Sequence, residues 1–127
     1  MNNKQFATAI NCIDGRAQMP VIKWFKTRFG INYVDMITEP GPERLLSDNE
    51  DRLTIESVRK RLNMSVSRHD SIFVAVVAHN DCAGNPVKSE IQAAQIAKAV
   101  NTVMSWGISV EVFGLLLDEK WAARIVR

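Results

Sequence analysis

Apolar residues along this chain fall into two rhythms. Residues 6–13, 32–37, 71–78 and 108–117 are short runs rich in branched or aromatic side chains, and Ser71-Ile-Phe-Val-Ala-Val-Val-Ala78 is nearly unbroken. Runs of that length and composition predict strands, and the unbroken one predicts a buried strand. Between them, Val21, Ile22, Trp24, Phe25 and Phe29, then Leu53, Ile55, Val58 and Leu62, then Ile96, Val100, Val103 and Met104 recur at near-helical intervals. These predict three helices, with Gly30 and Gly107 as stops for the first and third. The order βαβαβαβ, followed by a short helix expected around residues 119–125, predicts an α/β fold: one domain over residues 1–127, with a parallel sheet of about four strands flanked by helices.

The punctuation between these elements is specific. Glu39-Pro40-Gly41-Pro42 predicts a rigid loop after the second strand. Asn85-Pro86 predicts the start of the third helix, with Asn85 as cap and Pro86 in the first turn; Ser89 with Gln92 is the alternative cap.

Composition narrows the classes of function. With 127 residues, 46% of them hydrophobic, the chain is long enough to bury most of a single core. The net charge is +2 and the basic residues are dispersed, apart from Arg59-Lys60-Arg61 inside a helical pattern. That cluster reads as a solvated helix face, and no nucleic-acid partner is expected. The N-terminal apolar stretch is too short and mixed for a signal peptide, and no run reaches the roughly 18 apolar residues of a membrane span. A cytoplasmic protein with no membrane partner is therefore expected. In a reducing cytoplasm Cys12 and Cys82 stay thiols, either inert in the core or employed as thiolates. There is no glycine-rich phosphate loop and no serine elbow.

The candidate chemistry lies at strand ends. The first strand finishes in Asn11-Cys12-Ile13-Asp14-Gly15-Arg16 and the third in His79-Asn80-Asp81-Cys82. In a parallel α/β sheet the working residues gather at the carboxyl ends of strands, where strand order reverses. If these two strands are neighbours, two sulfurs and an imidazole converge, a donor set that suits zinc and leaves a fourth tetrahedral position open. The alternative is a hydrogen-bonded histidine beside two buried thiols, with Asp14 and Arg16 as a loop salt bridge. Asp81 reads as a turn or capping residue whose side chain points away, and His69 as solvated.

Joined together, Cys-x-Asp-x-Arg after strand one and His-x-x-Cys after strand three resemble the β-class carbonic anhydrases. Residues 54–62 are similar to that family's helix before the metal strand and residues 72–82 to the metal strand itself. Trp106-Gly107-Ile108 through Val112-Phe113-Gly114, with Asp118, is similar to its last core strand. The resemblance implies that Cys12, His79 and Cys82 bind Zn²⁺, and that Asp14 and Arg16 form a catalytic dyad. In that dyad Arg16 keeps Asp14 off the metal, and Asp14 orients a zinc-bound hydroxide for reversible hydration of carbon dioxide to bicarbonate. A hydrolase of carbon disulfide or carbonyl sulfide, and a noncatalytic zinc or interaction protein, are the alternatives on the same scaffold. The family also implies a homodimer or larger assembly. This chain differs from the family pattern in its short N-terminal arm, its Ile37-Thr38-Glu39-Pro40-Gly41-Pro42 loop, and Ala83 rather than glycine after Cys82.

Overall fold

The computed structural model describes residues 4–127. Five strands form one sheet: β1 (Phe6–Cys12), β2 (Tyr33–Glu39), β3 (Phe73–His79), β4 (Glu111–Leu117) and β5 (Ala123–Ile125). Their spatial order is β2-β1-β3-β4-β5; the first four are parallel, and β5 runs antiparallel to β4. The helices are α1 (Gln18–Phe29), α2 (Pro42–Asp48), α3 (Arg52–His69) and α4 (Ser89–Met104), with a single 3-10 turn at Gly15–Ala17.

The apolar pattern accounts for the layering. β1 and β3 are buried at every position after their first, as expected for central strands covered on both faces. Alternate residues serve opposite faces: Ile10, Val74 and Val76 join Leu46, Ile55, Leu62 and Ile96 in one core. Ala7, Ala9, Ala75 and Val77 join Val21, Phe25, Phe113 and Leu115 in the other. Strand period two thus becomes a three-layer sandwich.

The helix ends follow local chemistry. Gly30 closes α1 in the left-handed region at φ 65°, donating its N–H to carbonyls of the last turn. Asp51 caps α3 by accepting the Thr54 N–H at 3.2 Å. Gly107, at φ 75°, stands three residues beyond the end of α4.

Three expectations need correction. The Pro40-Gly41-Pro42 stretch does not remain a loop: Pro42 is the first residue of α2, with Gly41 as its N-cap. The chain end is a strand rather than a helix over 119–125, because the open edge of β4 offers unpaired backbone groups that β5 satisfies. Finally, α4 begins at Ser89 with Lys88 as N-cap and no side-chain cap, so neither Asn85 nor Ser89 caps it.

Candidate metal centre

β1 and β3 are adjacent and parallel, so their carboxyl ends lie side by side. Cys12 is the last residue of β1, His79 the last of β3, and Cys82 follows three residues later. All three are buried, and their ligand atoms lie within 4.8 Å of one another. The Cys12 and Cys82 sulfurs stand 3.8 Å apart. Two thiolates bound at about 2.3 Å to one tetrahedral zinc would be separated by about that same distance, roughly 3.8 Å.

The histidine is set for ligation. His79 Nδ1 lies 2.6 Å from the carbonyl oxygen of Asn80, so it carries the proton and donates it there. This leaves the Nε2 lone pair facing the sulfurs, and Nε2 is buried without a hydrogen-bond partner. A neutral imidazole with its outer N–H held by a carbonyl is the arrangement metal-binding histidines adopt. The backbone at His79 is fixed as well: Gln92, in the first turn of α4, donates to the His79 carbonyl at 2.7 Å. Gln92 is itself drawn toward Glu43, whose Oε2 lies 3.4 Å away and also accepts from Asn85 at 2.8 Å.

Electrostatics separate the two thiols. Burial pushes the Cys12 thiol up, but contact with His79 and with the backbone of Gly41 and Asp14 outweighs it and lowers the thiol to about 7. Burial and the neighbouring Cys12 push Cys82 up to about 11. Burial also disfavours charge on His79, yet Cys12, the Asn80 carbonyl and Asp14 turn its net shift upward. These shifts favour a Cys12 thiolate and positive charge on His79, and a cation beside the sulfurs would displace the Nε2 proton and favour the second thiolate as well.

The Asp-x-Arg segment folds over the rim. Asp14 caps the Gly15–Ala17 turn, its Oδ1 accepting the Arg16 N–H at 2.9 Å. Arg16 Nη2 donates to Asp14 Oδ2 at 2.7 Å and its Nε to Oδ1 at 3.1 Å. This two-pronged hold by Arg16 depresses the carboxyl to about 2. Buried Asn11 fixes the turn by donating to the Ala17 carbonyl at 3.0 Å, and Gln18 donates to the Cys12 carbonyl at 2.8 Å. Asp14 Oδ2 stands 3.8 Å from His79 Nε2, close to the three ligands but tied to the arginine.

The structure thus gathers Cys12, Asp14, Arg16, His79 and Cys82 at one place. Asp81 is a turn residue, as expected, at φ 53° and outside the Cys12, His79 and Cys82 group; unforeseen is its hold on Arg16, whose side chain donates to its Oδ2 and carbonyl at 3.2 Å each. His69 is not simply solvated. It lies at the opposite end of the sheet, stacked on Phe6 at 4.3 Å with Nδ1 2.6 Å from Asp35. The supporting residues Glu43, Asn85 and Gln92 were not singled out for this role by the sequence. They are buried polar groups from separate stretches of the chain, and only Asn85 and Gln92 drew attention, each as part of a possible cap.

Residues 2–127 match the protein family described as "Putative carbonic anhydrase". The chain belongs to that family. No curated protein matches it. Among solved structures, the carbonic anhydrase from Glaciozyma antarctica aligns over 95% of this chain and 81% of its own, at 13% identity and a TM-score of 0.52. The β-carbonic anhydrase CafA of Aspergillus fumigatus aligns over 96% and 74%, at 13% identity and a TM-score of 0.48. The chain is a divergent member of the putative carbonic anhydrase family, on a fold similar to that of the Glaciozyma antarctica enzyme. Among the described residues no helix is long and apolar enough to cross a membrane.

Proposed function

We propose that the protein is a zinc-dependent carbonic anhydrase acting in the cytoplasm, with Cys12, His79 and Cys82 as the metal ligands. Family membership and the donor set support zinc: two sulfurs and one imidazole within 4.8 Å, with a buried, unpartnered Nε2 directed at them. Zinc held there supplies a Lewis acid that makes a nucleophile available from water, at a higher pH than a three-histidine site because two thiolates offset its charge.

The chain's own residues then do the positioning. The observation that carries the reading is the Asp14–Arg16 pair, two-pronged at 2.7 and 3.1 Å, with the carboxylate 3.8 Å from His79 Nε2. Its depressed pKa of about 2 keeps Asp14 a hydrogen-bond acceptor across the working pH range. An acceptor fixed at the rim accepts a hydrogen bond from the attacking oxygen and turns one of its lone pairs toward carbon dioxide, an electrostatic and orientational contribution. Arg16 prevents the carboxylate from swinging inward to occupy the fourth position itself.

The test is stopped-flow hydration of carbon dioxide, at neutral and alkaline pH, by protein assayed for zinc. About one zinc per chain and hydration that rises toward alkaline pH are expected. Cys82→Ser should lose both. A zinc-loaded wild-type chain with no hydration at either pH would contradict the enzyme reading.

A further inference from the structure

The turn between β4 and β5 holds the most strained residue near the site. Trp121 has φ 61°, a left-handed conformation that a bulky side chain rarely adopts. Such strain persists only where the surroundings over-determine it. Here they do: Asp118 Oδ1 accepts the N–H groups of Lys120 and Ala122 at 2.8 and 3.0 Å. The Asp118 carbonyl accepts the Trp121 N–H at 2.9 Å, and the Asn80 side-chain amide, from the residue after His79, donates to the same carbonyl. The turn is tethered to the metal strand and aimed by it.

The indole consequently touches both halves of the site. It stacks on the His79 ring with centroids 5.5 Å apart and planes 29° off parallel. On it also rests the Arg16 guanidinium, 5.0 Å from the ring centroid. Arg16 is otherwise half exposed, and exposed ion pairs hold their geometry weakly. A planar guanidinium lying on an aromatic face gains a second, flat constraint that a carboxylate alone does not give.

We propose that Trp121 is a positioning residue for the Asp14–Arg16 pair: its ring is the surface against which Arg16 is held, so that the arginine keeps Asp14 turned from the metal ligands. The hairpin thereby supplies one wall of the site from within the same chain. Removing the aromatic face leaves Arg16 held only by its exposed contacts with Asp14 and Asp81, and Asp14 Oδ2 turns more readily toward the cysteines. The inference deepens the reading of the site as a hydration centre and rests on it only for the activity measurement below.

Trp121→Phe and Trp121→Leu separate a ring from mere apolar cover, since both keep the backbone conformation strained and only one keeps a π face. The Arg16 Nε–H proton resonance reads the contact directly, in zinc-free and zinc-loaded protein alike. In the wild type it should be displaced upfield by the indole ring current and exchange slowly with water. The displacement should persist, reduced, in the Phe variant and vanish in the Leu variant. Zinc content should be unchanged in all three, while hydration falls about three- to tenfold in the Leu variant, the factor equivalent to losing a partly exposed cation–π contact, and much less in the Phe variant. An undisplaced Arg16 signal in the wild type overturns the proposal whether or not the variants fold. So does equal loss of activity in the Phe and Leu variants. If wild type shows no hydration but the Arg16 signal behaves as expected, the positioning role stands and the enzyme reading fails.

Discussion

A buried nitrogen without a partner costs about 1–3 kcal/mol, and His79 Nε2 is one. It is tolerable because the atoms opposite it are sulfurs, and a bound cation would take its lone pair. Glu43 presents the same problem in a carboxyl: it is 1% exposed, and its Oε1 has no partner. Burial raises its pKa above the ordinary 4.5, against the hydrogen bonds from Asn85 and Gln92 that favour the ionised form. The titratable groups acting on it are His79, whose charge would favour the carboxylate, and Cys82, which the carboxylate pushes up. A raised acid contributes most to stability while protonated, so its contribution is present below about 4.5 and is lost as pH rises through the folded value. Glu43→Gln should therefore match wild type near pH 4 and gain on it toward pH 7.5, in denaturant titrations of chelator-treated protein. Parallel pH profiles for the two would show that Glu43 is not held in a raised state. The clustered residues were legible because each set lies within a few positions: Cys12, Asp14 and Arg16 in one pentapeptide, His79 and Cys82 in one tetrapeptide. Glu43, Gln92 and Trp121 were not, since their roles arise from contacts across the fold, such as the one between Asn85 and Glu43, 42 residues apart.

At the scale of elements, the loops after β2 and β3 meet backbone to backbone. A Cβ added at Gly84 would fall 2.8 Å from Pro40 and 2.9 Å from the Gly41 nitrogen, whereas one at Gly15 would meet nothing within 4 Å. Because Cys82 lies two residues before Gly84, any spreading of these loops reaches a candidate metal ligand. Gly84→Ala should destabilise the protein by about 1–3 kcal/mol, as overpacking does, and weaken zinc binding. Gly15→Ala should leave stability within about 0.5 kcal/mol of wild type. Equal thermal stability and equal zinc affinity for both variants would contradict this account of the loop contact. The long elements were readable because β1 and β3 are near-continuous apolar runs, buried at every position after the first, while α3 buries Ile55, Val58 and Leu62 at helical spacing. α2 was not, because seven residues are too few to establish a helical rhythm. The tail was misread because helix-compatible residues such as Ala122, Ala123 and Arg124 carry a weak local preference that pairing with the edge of β4 overrides.

For the whole molecule, the sheet has one short edge strand, the three-residue β5, and one long one, the seven-residue β2. A long edge strand with open backbone groups invites pairing, and we propose that the chain forms a homodimer or larger assembly through it. Light scattering at micromolar concentration should show a mass above 14.3 kDa, and a monomer alone would contradict this. The proposed function depends at this scale on a division of labour: three residues that would hold zinc and a separate pair that would keep its fourth position open. The measurement that tests this most directly is zinc content together with carbon dioxide hydration in Arg16→Ala. With the arginine gone, Asp14 should turn onto the metal; zinc should stay at about one per chain while hydration falls by about 10²-fold or more, the scale of losing a preorganised electrostatic group. A zinc-loaded Arg16→Ala protein that hydrates carbon dioxide at the wild-type rate would contradict the account.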